Sequence, residues 1–335
     1  MNSQWKQTLW GCLLAVTLIA AMTAAGELME NKEIIFPEIA ALAAGCLLAP
    51  RLPWKTSPGE MILLITLCAS AGLCLVLFVP GPVLLRVLLA YAFCQILMLL
   101  RQTGFAPVIS AAILPVMIHT ESIIYPVSAC IFTTLTVAAM KLKNRGPSAA
   151  EPPGQKSAEK QEPLYLRLLP GLAALDLGPQ LQQVLLRLLA VGFLAGAAIS
   201  ADLRFCAAPP LIVLFTEMSK STSPARKFPV KAWLLVTGCA WGGWAARIIL
   251  CGFFHLPLTA AAMGAGFAAA FLMCLTRRFL PPAGAMAVLP MILSEETFLT
   301  YPLQVCLGAG VLIFTALLFD RKKENEGPCS TPVRE

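Results

Sequence analysis

The chain has 335 residues, of which 58% are hydrophobic and only 13% charged, with a net charge of +7 at pH 7. An ordinary globular protein is about 25% charged, and a mean hydropathy of +0.77 belongs to a chain solvated by lipid. A pair of soluble domains is excluded, and so is a membrane β-barrel, because stretches such as 84–100 lack the alternation of apolar and polar residues that barrel strands need.

At about 1.5 Å per residue, about 20 helical residues cross a hydrocarbon core of about 30 Å. Apolar segments occupy 8–26, 34–50, 60–79, 83–100, 105–118 and 123–140, then 184–203, 205–217, 232–252, 257–275, 280–293 and 299–319. The expected fold is all-α and transmembrane, with about 12 membrane segments. The first segment has features of a secretory signal, with Lys6 before it and Ala24-Ala25-Gly26 at its end. Its counterpart at 184–203 cannot be a signal, so an uncleaved first helix is expected. Residues 1–142 form a first six-helix unit and 181–323 a second. Between them, 143–180 is a cytoplasmic linker, its Leu-rich part a short interfacial helix or a loose connector. Residues 324–335 are a disordered cytoplasmic tail.

With a cytoplasmic N-terminus and twelve crossings, all but five of the 25 basic residues fall in inner loops and tails. Lys32 and Arg204 are outside, while Arg86, Arg187 and Arg247 lie within segments. Arg86 and Arg247 either snorkel to the headgroups or line an outward vestibule; Arg187 is expected at the interface. This positive-inside pattern predicts a multi-pass protein of the bacterial inner (plasma) membrane with both termini in the cytoplasm. Trp5, Trp10, Trp54 and Trp233 stand at segment ends, where interfacial aromatics belong.

The positive charge does not indicate a nucleic-acid surface, since the basic residues are dispersed among short loops. Eleven of the twelve cysteines lie inside apolar runs without a C-x-x-C pair and are expected to pack helices. No Ser-His-Asp set, H-E-x-x-H or phosphate loop is present, and there are two histidines. No catalytic residue, metal or cofactor is therefore expected.

The two halves repeat one another. Leu114-Pro115-Val116-Met117-Ile118, Glu121, Tyr125-Pro126 and Cys130 are answered by Leu289-Pro290-Met291-Ile292-Leu293, Glu296, Tyr301-Pro302 and Cys306. Six crossings each make them parallel repeats about an axis along the membrane normal. Within each half the second and fifth segments open alike: Phe36-Pro37-Glu38, Phe105-Ala106-Pro107, Ala208-Pro209-Pro210 and Leu280-Pro281-Pro282. They run in opposite directions, which suggests nested three-plus-three inverted repeats.

Three of these four segments are short for a crossing, and proline suits a helix's first turn. They are expected to begin below the membrane surface, after non-helical backbone that is tolerated there only against protein or water. The free N–H groups and positive dipole of such a start can hold an anion without a basic side chain. The substrate-binding candidates are Pro209, Pro210 and Leu211, with Pro281, Pro282, Ala283 and Gly284, and their counterparts Pro37 and Pro107. Pro-kinked spans packed by small residues would give the same pattern.

The Pro-Pro-Ala-Gly-Ala stretch at 281–285 followed by the Tyr301-Pro302 helix resembles the HPP family of integral membrane proteins. Pro209-Pro210 followed by Ser223-Pro224-Ala225-Arg226 is similar to that family's first block. Members include proteins linked to nitrite transport in chloroplasts and cyanobacteria, so the resemblance implies membrane transport of a small, nitrite-like anion. Two features depart from the family: Leu280 and Ala208 stand where its histidine would, and this chain carries two units.

Glu121, Glu217 and Glu296 are expected at the C-terminal ends of short helices, where a carboxylate opposes the dipole. They are candidates for proton or cation coupling, or else ordinary water-facing turn residues. Glu38 is expected to be a helix-start residue. The expected partners are the lipid bilayer and a small anion, with no nucleic acid; assembly into a homo-oligomer is left open. The expected function is anion transport near the bilayer midplane, with an anion channel or a non-transporting accessory protein as alternatives.

Overall fold

The computed structural model describes residues 3–144 and 177–319, and regular structure there is entirely helical. The expected linker helix and tail lie outside these residues. In the first half α1 spans Ser3–Leu28, α2 Glu38–Ala43, α3 Pro58–Phe78, α4 Val83–Leu100, α5 Pro107–Ile118 and α6 Ile124–Asn144. In the second, α7 spans Leu177–Ser200, α8 Pro209–Met218, α9 Pro229–Ala246, α10 Leu258–Thr276, α11 Pro281–Val288 and α12 Glu295–Leu318.

Each apolar segment contains one of these helices, but only eight are long and apolar enough to cross a membrane. These are α1, α3, α4, α6, α7, α9 with its π-helical extension Arg247–Phe253, α10 and α12. The remaining four are shorter than the sequence suggested. The segment at 34–50 holds only α2 and a π turn, Ala44–Leu48. The segment at 280–293 holds α11 and a 3₁₀ turn, Leu289–Met291. Hydropathy reads burial in protein and burial in lipid alike, so it overestimated their span.

Burial separates the two classes. Half or less of each long spanning window is covered by protein. Leu67, Phe93, Phe193, Phe271, Leu307 and Phe314 project outward from them, an apolar belt suited to lipid tails. The residues of α2 and α11 are all buried, as are those of α5 except Ile118 and those of α8 except Glu217. A helix enclosed by other helices need not match the bilayer thickness, since protein satisfies its ends.

The four short helices close a ring: α2 packs on α5, α5 on α8, α8 on α11 and α11 on α2. Around it, α3 packs on α5 and α6, as α9 packs on α11 and α12. The halves interlock, because α1 lies along α10 and α7 along α4. Tyr125 of α6 reaches back to donate to the Ala111 carbonyl at 3.0 Å, and Tyr301 of α12 donates to the Met286 carbonyl at 2.7 Å. Each tyrosine also meets a phenylalanine edge-on, Phe36 at 5.6 Å and Phe205 at 5.8 Å between ring centroids.

Candidate functional site

The prolines decide where the short helices start. Pro107, Pro209-Pro210 and Pro281-Pro282 occupy first-turn positions, and Pro37 immediately precedes Glu38. The ring directs these starts to one place. Pro107, Pro210, Pro281 and Pro282 line a common cavity with Glu38, Ala41, Ser110, Val213 and Ala285. Its volume is about 10 Å³, room for about one water molecule. Every short helix contributes to it.

The far ends of the short helices carry the complementary charge. Arg247 donates to the carbonyls of Pro290 and, at 3.0 Å, Leu293, just past α11, with its guanidinium 4.5 Å from the Phe298 ring centroid. Arg226 donates to the Met218 carbonyl at the end of α8, at 3.0 Å. Lys143 donates to the Leu47 carbonyl, where α2's π turn ends. His119 closes α5 in the left-handed conformation. Cations at the C-terminal ends of α2, α8 and α11, with a cavity at the N-terminal ends, suit the helix dipole. Arg247 thus caps a buried helix instead of snorkelling or lining a vestibule.

The expected free N–H donors are mostly absent. Proline has none, and the next amides are taken by the preceding carbonyls. Leu211 and Ile212 donate to the Ala208 carbonyl at 2.8 and 3.2 Å, Ala283 to Leu280 at 3.0 Å, and Ile109 to Ala106 at 3.0 Å. The cavity retains the electrostatic field of the helix starts while lacking most of their donors. Gly284 takes the packing role that the sequence left open beside anion binding. A Cβ there would lie 2.7 Å from the Ala40 carbonyl oxygen, so Gly284 lets α11 touch the backbone of α2, with Ala283 buried beside it. Pro37, Pro209 and Leu211 belong to the same helix starts without lining the cavity.

Glu38 is the one ionisable group in the lining. It is 1% exposed, and its Oε1 accepts from the hydroxyl of Ser110, itself buried. Its Oε2 has no hydrogen-bond partner, and no ion pair to Glu38 is recorded among the described residues. It does occupy α2's first turn, as a helix-start residue should, but it also sits where four helix starts meet. That convergence has no local signature.

The three coupling candidates lie elsewhere. Glu121 and Glu296 are exposed. Glu296 falls in the first turn of α12, not at the end of a short helix, so it works with the dipole there. Glu217 ends α8 and accepts weakly from the Trp54 indole at 3.4 Å. Trp54 is 4% exposed and meets Phe105 edge-on at 5.2 Å; it belongs to the protein interior, not the interface expected for it.

A second polar cluster joins α4, α7 and α8. Tyr91 and Thr216 share a 2.9 Å hydrogen bond. Gln95 Nε2 and Arg187 Nε are buried without acceptors, and Arg187 acts electrostatically on Tyr91 and Lys220. Arg187, expected at the interface, is 7% exposed. In the loop after α8, burial pushes the Lys220 pKa down, with Glu217 opposing the shift and Arg187 adding to it.

Residues 231–328, which take in most of α9 and all of α10, α11 and α12, match the family model described as HPP, transmembrane region. This supports membership in the HPP family of membrane proteins. No curated protein and no solved structure matches the chain. The HPP match contains α11 and its Pro281-Pro282 start; Pro209-Pro210 and Ser223-Pro224-Ala225-Arg226, which the sequence also likens to the family, lie upstream of it.

Proposed function

We propose that this protein is a membrane transporter of a small inorganic anion, which it handles in the cavity ringed by α2, α5, α8 and α11. The observation that carries this reading is the cavity itself, lined by residues from the starts of all four proline-led helices. Three of those helices are long enough to add a useful dipole, α5, α8 and α11, and each directs its positive end inward. The unpartnered donors of Gln95 and Arg187 add a buried, electropositive patch beside α8. A cavity of about 10 Å³ is closed to an anion of several atoms, so passage requires the ring to widen as one half rocks against the other.

The proposed architecture is twelve membrane segments in two parallel six-helix repeats, each a nested pair of inverted three-helix units. It is supported by the matched tyrosine anchors, by Gly72 packing on the Ala112 carbonyl as Gly243 packs on Ala287, and by the paired cross-half contacts. We place the protein in a bacterial inner membrane with cytoplasmic termini, on the positive-inside asymmetry of its loops.

The test is flux into proteoliposomes holding the purified chain, with nitrite, nitrate, formate, bicarbonate and a cation control. Saturable movement of an anion, reduced at least about tenfold by Ala285→Val at the cavity wall, is the expected result. A rate that stays proportional to concentration would instead indicate a channel. Absence of anion flux from folded, inserted protein would refute the proposal.

A further inference from the structure

Four helix starts surround a cavity whose lining has almost no donors, and a buried glutamate, Glu38, borders it. Ionised, Glu38 is itself the anion that this field attracts. The residue borders the cavity, is 1% exposed, and its buried Oε2 has no partner. In low-dielectric surroundings an unpaired carboxylate is costly, and protonation relieves the cost. Protonation also supplies an O–H donor beside the cavity, where the prolines have removed N–H donors.

We propose that Glu38 couples proton and anion binding: its carboxylate fills the anion site when ionised, and its protonated carboxyl donates to the transported anion. This rests on the anion-transport reading and adds its stoichiometry, one proton per anion, with no net charge moved. The proton comes from water and forms the O–H bond on Oε2. Ser110 keeps Oε1 occupied, so the proton has one free oxygen. When the anion departs, the O–H bond breaks, the proton returns to water and the carboxylate re-enters the site. The short α2 contributes this side chain; the fields come from α5, α8 and α11.

Few other titratable groups compete for that role. From α6, Tyr125 faces Glu38, but its hydroxyl already donates to Ala111. From α5, α8 and α11 the lining is Pro107, Ser110, Pro210, Val213, Pro281, Pro282 and Ala285, none of them ionisable. On α1, Glu27 caps the start of α10 through the amides of Leu258 and Thr259, and Cys12 lies toward Lys143. Cys46 in the π turn following α2 lies toward Lys143 as well, and Lys143 binds the Leu47 carbonyl.

The experiment uses the full chain in proteoliposomes, with nitrate and nitrite as probes, empty vesicles to subtract passive nitrous acid entry, and a trapped pH dye. One proton per anion means that each pH unit of inward proton gradient supports about tenfold accumulation. The wild type should accumulate the anion accordingly and carry about one proton with each. Glu38→Gln should pass the anion without accumulation, proton movement or response to the gradient. If Glu38→Gln still accumulates anion with protons, the inference is overturned while anion transport stands. If the wild type carries no anion, both fall; cation flux alone would have the same meaning.

Should Glu38→Gln not fold, Ser110→Ala keeps the carboxyl and removes its partner. Infrared difference spectra on adding nitrate to the wild type should show the protonated-carboxyl band shift, with a pH midpoint that Ser110→Ala displaces. An anion-insensitive band, or an unmoved midpoint, would overturn the inference.

Discussion

The seam between α2 and α11 should respond to a single methyl group. Gly284→Ala would put a Cβ 2.7 Å from the Ala40 oxygen and 3.0 Å from its carbon. Both are backbone atoms in a fully buried helix, so nothing nearby can turn aside. Ordinary contact begins near 3.4 Å, and the two helices must separate to reach it. Overpacking of this kind costs about 1–3 kcal/mol. Gly59→Ala is the matched control, because a Cβ there meets nothing within 4 Å and the gain in helix propensity has the same sign at both sites. In detergent, scanning fluorimetry at one fixed heating rate should place Gly284→Ala below Gly59→Ala by roughly 2–10 °C. Midpoints that coincide would refute the close backbone packing from which the ring is built.

Three further outcomes follow from the same geometry. Tyr125→Phe and Tyr301→Phe each delete one buried hydrogen bond, to Ala111 and Met286; each should cost about 1 kcal/mol, and the double variant should lose their sum, measured by thermal unfolding. Arg247→Met leaves the Pro290 and Leu293 carbonyls without this donor and should cost about 1–3 kcal/mol; an unchanged midpoint would contradict its capping role. Burial lowers the Lys220 pKa from 10.5, so between the lowered value and 10.5 the folded chain binds fewer protons than the unfolded one and stability rises with pH. Lys220→Met should flatten that rise in midpoint-against-pH curves; a wild type with no rise would contradict it.

Much of the fold was legible because its signals are local. Apolar runs mark helices, and all twelve segments contain one. Proline pairs mark helix starts, and Pro209 and Pro281 begin α8 and α11 where expected. The tyrosine-proline motifs were visible as repeats, although their job, tying α6 to α5 and α12 to α11, was not. Lengths were less legible, since a buried helix and a lipid-crossing helix share one composition. Charged residues were the least legible. The sequence places Arg187 and Arg247 near segment ends and Glu38 after Pro37 in a first turn, but their surroundings come from helices far away in the chain.

The sequence by itself determined that the chain belongs in a bilayer, where its helices begin, and that its halves resemble each other, because hydropathy, proline stereochemistry and residue order act within one segment. The tertiary structure alone decided that four short helices close a ring and that their starts share a cavity. It also made Glu38, seemingly an ordinary first-turn carboxylate, the one ionisable group in that cavity. Helix starts separated by up to 243 positions, from Glu38 to Pro281, meet only once the long helices have packed. An unpartnered oxygen can be recognised only when every neighbour that might have bonded to it is in place.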